Sequence, residues 1–264
     1  MPGRDDLPWS TFYQGRILNF AHRGAREQAP ENTLPAFVRA ADLGADGVEL
    51  DVQLSADGVP VVIHDPLVDR TTDGVGAVAA MPLAALRELD AGAPFSPAFT
   101  GTPIPTLSEV FEALGSCVLF NVELKSSGAA SFGSRRRLAQ AVADAVRTFG
   151  LAARVLCSSF DLLTLRALRQ AAPELLLGCL YSYPPTTLVQ GWLARLAAGR
   201  DTALHPHFSM VDGLYMQRAR RRGQHVNVWT VNEPDDIRRM RDLGVDAIIS
   251  DRPEVVRTVL HGER

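Results

Sequence analysis

Eight short apolar runs, each followed by a segment of helical periodicity, recur along nearly the whole chain. The runs fall at residues 17–21, 46–54, 118–124, 154–159, 175–181, 202–205, 225–230 and 247–250. The helical segments fall at 34–43, 106–114, 136–149, 162–171, 187–197, 211–222, 235–243 and 254–260. Eight βα units in about 250 residues predict a (β/α)8 barrel. A doubly wound open sheet would more often place a Gly-rich GxGxxG turn after its first strand, and this chain has none there. No Pro/Ser-rich linker divides the sequence, so residues 1–264 are expected to form one domain. Residues 1–16 are expected as a surface lead-in. Residues 66–104, rich in Gly, Pro and Thr with one short helix near 83–89, are expected as a short inserted loop or cap. Helix signals support the frame: Asn32 or Thr33 as an N-cap, and Thr106 with Glu109 as a capping box.

The chemistry concentrates in residues 46–65, which alternate, turn and return. On the outgoing strand Val48, Leu50 and Val52 share one face, while Glu49 and Asp51 share the other. Ser55-Ala56-Asp57-Gly58 reads as a hairpin turn. A turn centred between Ala56 and Asp57 would set Asp51 opposite Val62 and Glu49 opposite His64. Pro60 confines the return strand to a short edge. Two acids on an otherwise apolar strand are costly unless paired or bound to a metal.

A barrel carries its active site at the C-terminal ends of its strands. Those ends are His22-Arg23, Glu49 and Asp51 with His64 beyond, Glu123 and Lys125, Ser158-Ser159, His205, Trp229-Thr230, and Ser250-Asp251. Glu49, Asp51 and Glu123 would lie together, a set suited to one hard divalent cation, Mg2+ or Ca2+. The alternative is a salt-bridge network with Arg23 and Lys125. With a cation, Arg23 and Lys125 make an anion site for a phosphoryl group. His22 and His64 supply two imidazoles as candidate acid–base groups. Trp229 is either an apolar wall for an alcohol moiety or a core residue. Lys125 is the only lysine among 27 basic residues, which fits a place where a compact ammonium is needed.

Composition excludes other classes. A net charge of -3 gives no reason to expect a nucleic-acid partner, and Arg135-Arg136-Arg137 and the arginines of 218–222 are expected on solvated helix faces. The polar, acidic N-terminus is no secretory signal. No apolar run reaches the ~18 residues of a membrane span, so no stable membrane insertion is expected. Cys117, Cys157 and Cys179 all sit in apolar runs and are expected as core thiols of a reducing compartment, which points to the cytoplasm.

The sequence resembles the glycerophosphodiester phosphodiesterase family. The matching segments are His22-Arg23-Gly24, Pro30-Glu31-Asn32-Thr33, Glu49-Leu50-Asp51-Val52, Asp57-Gly58 through His64-Asp65, Arg70-Thr71-Thr72, Pro105-Thr106-Leu107, Glu123-Leu124-Lys125, Ser159-Phe160-Asp161, Trp229-Thr230-Val231-Asn232 and Gly244 through Pro253. The resemblance implies hydrolysis of glycerophosphodiesters to sn-glycerol 3-phosphate and an alcohol with a divalent metal. It implies Glu49, Asp51 and Glu123 as ligands, His22 and His64 as the acid–base pair, and Arg23 and Lys125 on the phosphate. Glu31 matches a position near the metal, with a loop-anchoring role equally open. Two further readings compete: a lysophospholipase D-type enzyme, with Phe95 and Phe99 as an apolar rim, and a non-catalytic phosphodiester-binding protein.

Overall fold

The apolar runs pair edge to edge. The computed structural model describes residues 9–126, 131–182 and 202–262. Its strands are β1 (Leu18–His22), β2 (Gly47–Leu54), β3 (Pro60–Val62), β4 (Leu119–Leu124), β5 (Val155–Ser159), β6 (Leu176–Tyr181), β7 (Thr202–Pro206), β8 (Asn227–Val228) and β9 (Ala247–Ser250). Parallel pairing runs β7-β6-β5-β4-β2-β1-β9-β8, and β3 lies antiparallel on β2. Parallel bridges Leu204–Val226 and His207–Trp229 bring β7 to β8. Eight parallel strands thus form a nearly closed (β/α)8 barrel, as the alternation predicts.

The helices that alternate with these strands are α2 (Leu34–Asp42), α4 (Leu107–Leu114), α5 (Phe132–Thr148), α6 (Leu162–Ala171), α7 (Gly213–Arg221), α8 (Pro234–Leu243) and α9 (Pro253–His261), with α1 (Trp9–Tyr13) before β1 and α3 (Leu83–Arg87) in the insertion. The segment expected as a helix at 187–197 lies outside the described residues. The Thr106–Glu109 capping box is formed, with both reciprocal bonds present. α5 begins at Phe132, earlier than expected, because Ser131 caps it by accepting from the Ser134 N–H.

The hairpin register differs from the expected one by a single residue. Val52 faces Val62 and Leu54 faces Pro60. The Ser55 Oγ accepts the Val59 N–H and the Gly58 N–H bonds the Ser55 carbonyl, so the turn takes one residue more than a two-residue loop. Asp51 therefore stands across from Ile63, whose N–H donates to the Asp51 carbonyl, and His64 leaves the ladder altogether.

Residues 9–13 are not a surface lead-in. Trp9, Phe12 and Tyr13 recur at i, i+3 and i+4, one face of a helix. That face plugs the N-terminal mouth of the barrel against Leu18, Phe20, Leu119, Leu156, Leu176, Ala203 and Ala247. Burying each large ring there contributes about 1.5–3 kcal/mol. The Tyr13 hydroxyl donates to Asn227 Oδ1 at 3.0 Å, and Asn227 Nδ2 lies 2.9 Å from His205 Nε2. Two glycines admit these inward groups. A Cβ on Gly47 would lie 2.3 Å from the Phe20 ring, and one on Gly178 would lie 2.3 Å from His205 Nε2.

The insertion is more than a loop. Val61, Ile63, Val68, Val78, Leu86, Ala91 and Ile104 form their own buried cluster beside the barrel. Cys157 and Cys179 are buried, whereas Cys117 is exposed in the turn before β4. Arg135 is likewise no solvated residue: it is 9% exposed and its Nε donates to Asp161 at 2.5 Å.

Candidate active site

Period two and parallel register carry the acids to one place. His22 pairs with Glu49 across β1 and β2, Glu49 with Asn121 across β2 and β4, and Asp51 with Glu123. All point into the barrel at its C-terminal mouth. Oxygens of Glu49, Asp51 and Glu123 lie within 4.8 Å of one another, and all three residues are buried. Lys125 Nζ sits 2.6 Å from Glu123 Oε1 and 3.1 Å from Asp51 Oδ1. Arg23 Nε lies 3.2 Å from Asp51 Oδ2.

Three buried carboxylates face two cations, and their titrations split accordingly. Burial, with Asp51 and Glu123 adding to it, pushes Glu49 well above the usual carboxylate range. Burial and Asp51 push Glu123 up to about 7 against the opposing pull of Lys125. Burial acts the same way on Asp51, yet Lys125 and Arg23 outweigh it and hold Asp51 low. Asp51 Oδ1 is buried without a hydrogen bond. An acid-rich oxygen set of this kind, with an excess of negative charge over its fixed cations, fits a hard divalent ion.

Each histidine is pinned at Nδ1 by an aspartate. His22 Nδ1 lies 2.6 Å from Asp251 Oδ1, and His64 Nδ1 lies 2.6 Å from Asp65 Oδ1. The carboxylates hold the proton on Nδ1 and leave each Nε2 free for a reactant. His22 Nε2 is 4.0 Å from Glu49 Oε2. Asp251 is in turn held by Asn232, whose Nδ2 donates at 2.8 Å. Asp65 is held by Arg70 and drops to about 2. Burial depresses His64 below its ordinary value.

Glu31 anchors the loops above the site. It pairs with Arg23 at 3.0 Å, Arg26 at 3.1 Å and Arg70 at 2.7 Å, so one carboxylate ties the first βα loop to the insertion. Among the two roles left open for Glu31, these contacts describe the anchor.

The mouth encloses a cavity of about 320 Å3. His22, Arg23, His64 and Lys125 line it beside Glu49 and Glu123, and Phe160, Leu180, Trp229 and Ile249 form an apolar side. Trp229 is therefore at the cavity wall. Its Nε1–H donates to the His205 carbonyl at 2.8 Å, and Phe160 meets it edge-on at 5.4 Å. His205, expected at a strand end, is instead fully buried below the cavity. β7 runs on to Pro206, and His207 beyond it meets Trp229 edge-on at 5.4 Å.

Sequence patterning leaves three residues of this arrangement without a role. Asp65 had a visible signal, adjacency to His64. Asp251 falls at an expected strand end, but its pairing with His22 had no local signal, because only barrel closure brings the last strand beside the first. Of the two expected N-caps, Asn32 and Thr33, Thr33 takes that position, and the Asn32 carboxamide grips Asp51.

Comparison with known proteins follows this geometry. The profile of the glycerophosphoryl diester phosphodiesterase family matches residues 22–255. A glycerophosphodiester phosphodiesterase of Caldanaerobacter subterraneus subsp. tengcongensis is 41% identical over 242 residues, covering 91% of this chain and 96% of the relative. A solved Oleispira antarctica phosphodiesterase in complex with the product sn-glycerol-3-phosphate superposes with a TM-score of 0.83 at 33% identity, covering 94% of this chain and 98% of that one. A solved glycerophosphodiester phosphodiesterase of Agrobacterium tumefaciens gives 0.78 at 29% identity, covering 91% and 99%. With a profile that spans every charged residue of the mouth and relatives matched almost end to end, this chain belongs to the glycerophosphoryl diester phosphodiesterase family and is a phosphodiester hydrolase.

Proposed function

We propose that this chain hydrolyses glycerophosphodiesters to sn-glycerol 3-phosphate and an alcohol, with His22 and His64 as the acid–base pair. The observation that carries the proposal is the pair of aspartate-pinned imidazoles on either side of a cationic, acid-floored cavity. Arg23 and Lys125 attract the phosphodiester anion and orient its oxygens. One imidazole takes the proton of the attacking oxygen as the new P–O bond forms, that oxygen being water's own or the glycerol hydroxyl's, in which case water then opens the cyclic phosphate in a second step. The other gives a proton to the departing alcohol oxygen as the old bond breaks, so the pair ends with its protons exchanged. Asp251 and Asp65 stabilise the imidazolium on each side. Glu49, Asp51 and Glu123 would hold one divalent cation, Mg2+ or Ca2+, which supplies charge neutralisation at the phosphoryl oxygens. Trp229 and Phe160 give the organic part of the substrate an apolar wall.

The same proposal treats residues 1–264 as one catalytic domain acting in the cytoplasm on a small molecule, without nucleic acid. No described helix is long and apolar enough to cross a membrane. The test is release of glycerol 3-phosphate from glycerophosphocholine, glycerophosphoethanolamine and glycerophosphoglycerol, with Mg2+ or Ca2+ and again after chelation. Cation-dependent release from at least one diester is expected. No such release from any of them overturns the proposal, and tight binding unaltered by His22→Ala without turnover would favour a phosphodiester sensor.

A further inference from the structure

Two side-chain-bearing residues of the site lie in left-handed backbone, Arg23 at φ 57 and Asn32 at φ 58. L-residues avoid this region because Cβ crowds the carbonyl, and asparagine tolerates it best among non-glycines. These two are tied together: the Asn32 N–H donates to the Arg23 carbonyl at 3.0 Å. Each then reaches a carboxylate. The Arg23 N–H donates to Glu49 Oε2 at 3.1 Å. Asn32 Nδ2 donates to Asp51 Oδ2 at 2.8 Å, and Asn32 Oδ1 accepts the Asp51 backbone N–H at 3.2 Å. Asn32 thus closes a ring on Asp51, fixing its carboxylate relative to its own strand. The side chain is 3% exposed and does no capping, since Thr33 stands at the N-cap of α2.

The consequence is a division of labour within one carboxylate. Oδ2 of Asp51 is occupied by Asn32 Nδ2 and approached by Arg23 Nε at 3.2 Å. Oδ1 makes no hydrogen bond but carries the ion pair with Lys125 Nζ at 3.1 Å. We propose that Asn32 is a positioning residue for the cation site: with Arg23 it braces Glu49 and Asp51, so that the carboxylates stay gathered where they would hold the ion. The inference rests on the carboxylate trio holding a divalent cation, as proposed above.

Calorimetric titration of Mg2+ and Ca2+ into the whole chain, with melting midpoints taken in chelator, tests it. Asn32→Gly removes the grip while glycine adopts φ 58 freely, so its midpoint is expected to fall only by the loss of the two buried hydrogen bonds and to stay above that of Asn32→Ala. Its cation affinity is expected to fall 10–100-fold, roughly the effect of losing a partner that orients a ligand. Asn32→Ala loses the same grip but must hold a Cβ in the left-handed region, so its midpoint falls while its affinity matches that of Asn32→Gly. An affinity for Asn32→Gly within about 3-fold of the unaltered chain overturns the inference. So does an affinity loss that tracks the midpoint across the two variants, or a fold lost in both, since Asn32 would then be structural. If the unaltered chain takes up no cation, the cation reading itself is wrong and the brace falls with it.

Discussion

The same eight strands build two opposite interiors. Below, Leu18, Phe20, Leu119, Leu156 and Leu176 meet the aromatic face of α1, and a polar chain, Tyr13–Asn227–His205, is neutral. Above, Glu49, Glu123, two cations and two histidines line a cavity, with Asp51 buried beside them. Between them Asn121 Oδ1, Ser158 Oγ and His205 Nδ1 are buried without a hydrogen bond. The lower half stabilises the barrel by removing apolar surface from water; the upper half costs stability, because buried acids are held together against desolvation and mutual repulsion. Stability and activity should therefore separate by height along one strand set.

The largest effect tests the upper half. Glu49→Gln should lower kcat/KM by about 10³-fold or more, the scale of several kcal/mol of lost charge stabilisation. Its cation-free melting midpoint should nevertheless hold or rise, since Glu49 is the acid that burial and its neighbours most disfavour as an anion. Asp51→Asn should lose comparable activity but melt lower, because it breaks pairs with Lys125 and Arg23. If Glu49→Gln melts clearly lower than the unaltered chain, the upper half is a stabilising salt-bridge network and the comparison fails. His22→Ala, which leaves the trio intact, should lose about 10²–10⁴-fold in turnover with little change in midpoint.

The lower half should behave in reverse. Phe12→Ala removes a fully buried ring from the plug. It should cost about 3–5 kcal/mol by denaturant titration while leaving KM of the folded fraction unchanged. Tyr13→Phe removes only the hydroxyl that Asn227 receives, so the expected loss is smaller, about 1–3 kcal/mol. A KM shift in either variant would mean that the plug reaches the cavity, and that the two halves are not independent.

The contrast also explains what the sequence could disclose. The upper acids were legible because period two and strand ends are local rules: Glu49, Asp51, Glu123 and Lys125 all follow from them. The plug was not read, although Trp9, Phe12 and Tyr13 keep helical spacing, because a five-residue helix gives little periodicity to set against a polar leader. The hairpin register slipped by one because Ser55 hydroxyl bonding lengthened the turn. Asp251 and Asn32 needed closure of the barrel and a left-handed backbone, neither of which a linear pattern encodes. His205 stands one layer below the strand end, since β7 runs one residue further, to Pro206, and His207 follows it against Trp229.

The smallest effect gives the two halves opposite signs with pH. Glu123, in the upper half, is raised in the fold to about 7 from an ordinary value near 4.5. Without cation it contributes stability that is present below about 4.5 and lost as pH rises through 7. His205, below, is depressed by burial from 6.5 to about 3. Its contribution is present above 6.5 and lost as pH falls toward 3, by at most about 1.4 kcal/mol per pH unit. Between about 4.5 and 6.5 the two oppose each other. His205→Gln keeps an acceptor for Asn227 without titrating, so its deficit in stability at pH 7 should shrink steadily by pH 4. Glu123→Gln in chelator should gain over the unaltered chain at pH 7 and lose that gain by pH 4. Denaturant titrations of the three proteins across this range check both slopes. If His205→Gln kept a constant offset, the buried imidazole would be staying neutral with water's help, and the lower half would not be as dry as its packing makes it.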